Sequence, residues 1–180
     1  MLKNVSTIST ELADREAIRD CLTLYCRGVD RRDVDLVRQV YWPDGTDDHA
    51  MMPPMSAQEF IDMMDEGSNS KDLEATQHTL TNILIDVVGL AAYVESYVHA
   101  YHRFRRENGE RYDLVAGARY LDRMEKRNDE WRIARRAVKI DWLREYDDSA
   151  DLENGFQGVP FVPGGHKPDD ASYALLKHGS

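Results

Sequence analysis

Six side chains in this sequence stand out as candidates for moving or steering protons: Tyr25, Asp30, His49, His78, His102 and Lys139. An imidazole titrates near neutrality, so His78 is suited to take a proton from carbon or oxygen. A buried carboxylate such as Asp30 would fix its tautomer and stabilise the imidazolium. Such a pair supplies about 10²- to 10⁴-fold, and orientation in a dry pocket must provide the rest. A plainer reading stays open on the residues alone: Asp30 as a helix-end acid in a surface loop beside Arg31 and Arg32, and His78 as a strand histidine hydrogen-bonded in the core.

The other candidates are constrained by their spacing. Tyr25 precedes Asp30 by five residues, which sets it about 140° around a helix from the acid, so that both reach one pocket only where the helix end loosens. Tyr25 reads equally as a core aromatic. Asp47 and His49 share a strand face by the two-residue period, whereas Asp48 points the other way. His49 could polarise a substrate oxygen or donate a proton, or simply be an exposed strand start. His99 and His102 have an odd offset, face opposite sides of a regular strand and cannot chelate one ion together. Near the end of the pattern Ala137, Lys139 and Asp141 alternate with Val138, Ile140 and Trp142. Lys139 is thereby a candidate for binding a carbonyl or phenolate oxygen, or a salt-bridged surface lysine, and the apolar row a dimer face. Met51, Met52, Met55, Met63 and Met64, with Trp42 and Phe60, suit either an adaptable lid over a flat ligand or ordinary core filling.

Several chemistries lack their motifs. There is no Gly-rich phosphate loop, no cysteine-based metal spacing and no nucleophile elbow, and neither a metal nor an organic cofactor is expected. The net charge of −10 repels phosphate backbones, and the basic residues are dispersed, so nucleic acid is a poor partner. No signal-peptide pattern and no run of roughly 20 apolar residues occurs, which leads to the expectation of a soluble, cytoplasmic protein that does not engage membranes. Cys21 and Cys26 fall on different sides of one helix and are read as core or helix-flank thiols.

The elements that must position these groups follow from periodicity. At 180 residues the chain fits one domain. Ser9 and Thr10 offer a cap for a long first helix carrying Leu12, Ile18, Cys21, Leu22, Tyr25 and Val29. Asp33 can cap a short second helix that Pro43 and Gly45 stop. Ser56 with Glu59 forms a capping box for a third. The period then changes: strands are expected over about 76–86, 92–106, 112–126 and 131–143, separated by the turn formers Val88-Gly89, Asn108-Gly109 and Asn128-Asp129. Helices followed by an antiparallel meander is an α+β order. Residues 147–180, rich in Gly and Pro over 155–168, read as an irregular arm with a short helical end near 172–177.

Here the residues carry a family likeness. Tyr25-Cys26-Arg27-Gly28-Val29-Asp30, then Arg31-Arg32-Asp33 and Tyr41-Trp42-Pro43-Asp44, resemble the entry of the nuclear transport factor 2-like superfamily, and within it the SnoaL-like group that includes scytalone dehydratase and bile-acid dehydratase. His78-Thr79-Leu80-Thr81-Asn82, Ala92 to Tyr97, and Asp129-Glu130-Trp131-Arg132-Ile133 resemble its later strands. The likeness spans roughly residues 11–146. It implies a cone-shaped α+β barrel, with three N-terminal helices packed on a curved antiparallel sheet over residues 1–146. It also implies that Asp30 and His78 face each other as a dyad. By the same likeness Tyr25 matches a tyrosine one turn before the acid, His49 stands where the dehydratases have a tyrosine, a second polar residue falls near Ala100 or His102, and a basic residue falls near Lys139. Where the bile-acid dehydratase has an acid this chain has Ala100, and Lys139 replaces an arginine.

The resulting expectation is a cofactor-independent lyase. His78 would remove an acidic proton from a small hydrophobic, aromatic or polycyclic substrate, and a small group would leave the neighbouring carbon. Water is the first choice, and formaldehyde from a hydroxymethyl-bearing lignin-type aromatic the second. A ketosteroid-type isomerase and a noncatalytic binding or assembly module are the alternatives. By fold analogy a homodimer or homotrimer is expected.

Overall fold

The computed structural model describes residues 5–50, 52–67, 72–147, 154–155 and 157–176. The chain begins with α1 (Val5–Asp30), whose buried residues Ile18, Cys21, Leu22, Tyr25 and Cys26 recur at three- and four-residue spacing along one face. Burying side chains such as Ile18 and Leu22 stabilises the fold by roughly 1.5–3 kcal/mol each. Ser9 and Thr10 lie inside this helix rather than capping it; no Gly or Pro between Val5 and Thr10 interrupts it, so the helix extends upstream of the first good cap.

Next comes α2 (Val34–Val40), which starts where expected, its Leu36 N–H donating to the Asp33 carboxylate. Gly28 lets α2 approach α1: a Cβ there would stand 2.7 Å from Val37 Cγ2. After β1 (Tyr41–Asp48) and the two-residue β2 (Met55–Ser56), α3 (Ala57–Asp65) opens with the full Ser56/Glu59 capping box. The long strands are β3 (Leu73–Val88), β4 (Ala91–Arg105), β5 (Arg111–Arg127) and β6 (Glu130–Asp147). They form the expected antiparallel meander. Gly89 and Gly109 adopt positive φ in two of its turns, and in the third Asn128 and Asp129 both do, as a two-residue type I′ hairpin requires.

The six strands form one curved sheet in the order β2-β1-β6-β5-β4-β3. It is mixed rather than wholly antiparallel, because β1 runs parallel to β6. The chain reaches β1 directly from α2 and joins the far edge of the meander, a long-range docking that no local pattern encodes. The inner face buries alternate residues: Ala92, Val94, Ser96, Val98 and Ala100 on β4, and Ala116, Ala118, Tyr120, Asp122 and Met124 on β5. Asp14 fastens α1 to the last hairpin by accepting from Lys126 Nζ at 3.0 Å and Trp131 Nε1 at 2.9 Å.

A register shift decides what the later part of β6 shows to each side. Gly117 pairs with Trp142 but Ala118 with Ile140, leaving an extra residue at Asp141. Val138 and Ile140 therefore point inward, while Trp142 turns out across Gly117, where an added Cβ would lie 2.1 Å from the indole Nε1. The apolar row expected as a subunit face is thus split between the two sides of the sheet.

The arm returns to the α1–α2 junction. Lys167 N–H donates to Arg31 O at 2.8 Å, Lys167 Nζ to Asp33 Oδ1 at 2.8 Å and Asp35 Oδ2 at 3.0 Å, and the Tyr173 hydroxyl to Asp33 Oδ2 at 2.8 Å. The short α4 (Ser172–Leu175) falls within the span expected to be helical; Lys177 lies outside the described residues.

Candidate active site

Between the helices and the inner face of the sheet lies a cavity of about 390 Å³. Small side chains create it: Ala100, Ala116 and Ala118 occupy inner positions where larger residues would fill the space. Its walls are apolar over Val29, Val34, Met52, Phe60, Met64 and Val98, and its polar groups are Tyr25, Arg32, His49, Thr76, His78, His102 and Tyr120. Of the methionine group, Met52 and Met64 line the cavity, Met55 and Met63 pack against the core, and Met51 lies outside the described residues. Trp42 is elsewhere, its Nε1 donating to Glu125 O at 3.0 Å and its ring stacked by Arg127 and Arg132.

Asp30 is the last residue of α1, and the chain leaves it through Arg32, held at φ +51°. A carboxylate is disfavoured beside the partial negative charge of a helix C-terminus, and the structure offsets this with donors from β3. His78 N–H donates to Asp30 Oδ2 at 2.9 Å, and His78 Nδ1 lies 2.7 Å from Asp30 Oδ1. Both side chains are over nine-tenths buried. An ionised carboxylate only accepts, so this contact places the proton on Nδ1 and leaves Nε2 with its lone pair.

His102 stands beside His78, with ring centroids 5.4 Å apart, and its Nδ1 is 2.9 Å from Thr76 Oγ1. Burial and the neighbouring His78 together push its pKa down to about 4, so it is a neutral hydrogen-bonding group at neutral pH. His99 faces the other way, exposed, with its ring 5.4 Å from that of Trp142.

His49 stacks on Phe60 with centroids 5.3 Å apart, and its Nδ1 is 3.1 Å from Asp47 Oδ1. Tyr25 is fully buried, edge-on to Tyr41 and Tyr120, and burial raises its pKa well above that of a free phenol. It stays a neutral phenol rather than a phenolate.

Lys139 is not in the cavity. Its side chain is half exposed and its Nζ lies 3.6 Å from Asp48 Oδ2 on the outer side, because Val138 and Ile140 own the inward positions. The cation under the cavity is Arg136, which the sequence reading passed over. It is fully buried, bound to Asp122 and stacked against Tyr25 and Tyr120 at 3.9 and 4.1 Å. The available signal was parity: counting back by two from Ile140 and Val138 puts Arg136 on the inner face.

The SnoaL-like domain family matches residues 10–137. Among curated proteins no relative matches by sequence. Among solved structures, a scytalone dehydratase-like protein from Novosphingobium aromaticivorans DSM 12444 is 23% identical with a TM-score of 0.68, over 79% of this chain and 94% of that one. The hexachlorocyclohexane dehydrochlorinase LinA-type3 from Novosphingobium barchaimii LL02 is 18% identical with a TM-score of 0.67, over 85% and 97%. A Kribbella flavida protein is 21% identical with a TM-score of 0.64, over 74% and 95%. These likenesses establish the fold they share with this chain. With the family match covering most of the sequence, the chain belongs to the SnoaL-like domain family.

Proposed function

We propose that this protein is a cofactor-independent lyase in which His78, held by Asp30, removes a proton from a carbon next to a carbonyl or phenol-activated centre, and a small group leaves the neighbouring carbon. The observation that carries this reading is the doubly hydrogen-bonded Asp30–His78 pair, buried where His78 meets a cavity with a largely apolar wall. Nδ1 is committed to the carboxylate, so Nε2 is the nitrogen available to a substrate, and the carboxylate stabilises the imidazolium that forms. The alanine-lined hollow and the Phe60, Met52 and Met64 wall suit a flat aromatic or polycyclic body. His102, neutral and hydrogen-bonded to Thr76, is placed to bind developing charge on an oxygen. The names of two similar structures, a scytalone dehydratase-like protein and a dehydrochlorinase, denote eliminations and favour this reaction class. Loss of water is the version proposed first.

The test uses 3-hydroxy-1-(4-hydroxyphenyl)propan-1-one, which gives an enone on losing water, 4-hydroxyacetophenone on losing formaldehyde, and an unchanged mass on isomerisation. The wild type is expected to form the enone, with Asp30→Asn and His78→Ala slower by about 10²- to 10⁴-fold. Equal turnover by all three proteins would overturn the assignment. Formation of the acetophenone with the same sensitivity to both substitutions would shift the reaction to formaldehyde release. Proton exchange at the activated carbon without a change of mass would shift it to isomerisation.

A further inference from the structure

The cavity holds a second carboxylate–imidazole pair, built on a different part of the fold. Asp47, on β1, is fully buried, and one of its oxygens lies 3.1 Å from His49 Nδ1. Its other oxygen accepts the Tyr41 hydroxyl at 2.5 Å. Burial works against an ionised Asp47, but the hydrogen bonds from His49 and Tyr41, with the Arg136 guanidinium nearby, outweigh it and hold the carboxyl below its ordinary range. Burial raises the Tyr41 pKa well above that of a free phenol, so Tyr41 stays a donor to Asp47. Phe60 fixes the plane of the His49 ring by stacking on it. Both imidazoles line the same hollow, and positive charge on either lowers the pKa of His102, which lies within electrostatic reach of both.

We infer that Asp47 and His49 form a second proton-transfer unit, in which His49 gives a proton to the departing oxygen while His78 takes one from carbon. This rests on the lyase reading above and narrows its substrate class to aromatic β-hydroxy carbonyl compounds, whose leaving hydroxyl departs poorly as hydroxide. The step balances. The C–H bond breaks, its proton goes to His78 Nε2 and its electron pair becomes the new C=C bond. The C–O bond breaks with its pair kept on oxygen, which takes the Nε2 proton of a cationic His49 and leaves as water. His78 ends cationic and His49 neutral, and exchange with solvent water resets both. Asp47 and Tyr41 are positioning residues: with Nδ1–H directed at Asp47, the proton transferred is the one on Nε2.

A leaving-group comparison tests this. The hydroxy ketone above needs its oxygen protonated; 3-chloro-1-(4-hydroxyphenyl)propan-1-one does not, since chloride leaves as an anion. His49→Phe, which keeps an aromatic ring against Phe60, and Asp47→Asn are each expected to lower kcat by about 10²-fold on the hydroxy ketone and by only a few-fold on the chloro ketone, after subtraction of the uncatalysed rate. His78→Ala is expected to lose both reactions. Equal losses on the two compounds for His49→Phe would make His49 a structural residue, and no loss on either would remove it from the reaction; both results overturn the inference. A wild type that eliminates chloride but never water would refute the His49 role while the His78 reading stands. A wild type inert towards both compounds would sink the two together.

Discussion

Arg136 grips Asp122 with two parallel hydrogen bonds, Nε to Oδ1 at 2.8 Å and Nη2 to Oδ2 at 2.7 Å, and neither side chain has any solvent exposure. The guanidinium packs over both the Tyr25 and Tyr120 rings, which meet edge-on and line the cavity, so a buried ion pair backs the cavity wall there. Removing one partner strands the other as a buried charge. Arg136→Ala is therefore expected to cost about 3–5 kcal/mol, and Arg136→Met, which keeps volume but not charge, to cost more than the double replacement Arg136→Met/Asp122→Leu. Urea unfolding of the three variants checks the order.

His102 carries a pH signature. Its folded pKa is pushed down to about 4 from an ordinary 6.5, chiefly by burial. The unfolded chain therefore binds the extra proton first as pH falls. The stability tied to the neutral imidazole is complete above pH 6.5 and drains away towards pH 4. His102→Gln should flatten the dependence of the urea midpoint on pH across that window; an unchanged slope would contradict the burial argument.

Asp33 joins three elements, capping α2 and accepting from both Lys167 and Tyr173 of the arm. Burial would raise its pKa, but these hydrogen bonds outweigh it and leave the carboxyl below 3.8. The corresponding stabilisation is present above that pH and is lost as pH falls through the lowered folded value. Asp33→Ala is expected to cost about 0.5–2 kcal/mol from the cap alone and to speed proteolytic cleavage within 157–176. Cleavage at the wild-type rate would mean that the arm is held by its other contacts.

Ala118 keeps the cavity open from the β5 side. Ala118→Phe should fill it, abolishing turnover of the hydroxy ketone while costing about 1–3 kcal/mol of stability. Retained turnover with the fold intact would place the reaction outside this hollow.

What the residues disclosed directly was local. The Ser56/Glu59 box and the Asp33 cap mark helix starts because they satisfy backbone groups within three residues. The hairpins fall at Gly89, Gly109 and Asn128-Asp129 because few residues tolerate positive φ. The strand ends were less legible: β6 runs on to Asp147, since its late pairing depends on β5 rather than on its own pattern.

The amino-acid sequence by itself determined the order of helices and strands, the turns, and which side chain types could move a proton, because each follows from neighbours a few residues away. Only the tertiary structure decided which of them meet. Asp30 and His78 are 48 residues apart and touch because α1 ends against β3. Asp47 gains Tyr41, six residues earlier on the same strand, where the pairing of β1 with β6 shifts register between Tyr41 and Thr46. Arg136 is enclosed and Lys139 left outside by the parity of β6 between its two register shifts against β5. Those outcomes depend on long-range packing, which a one-residue change of register would invert.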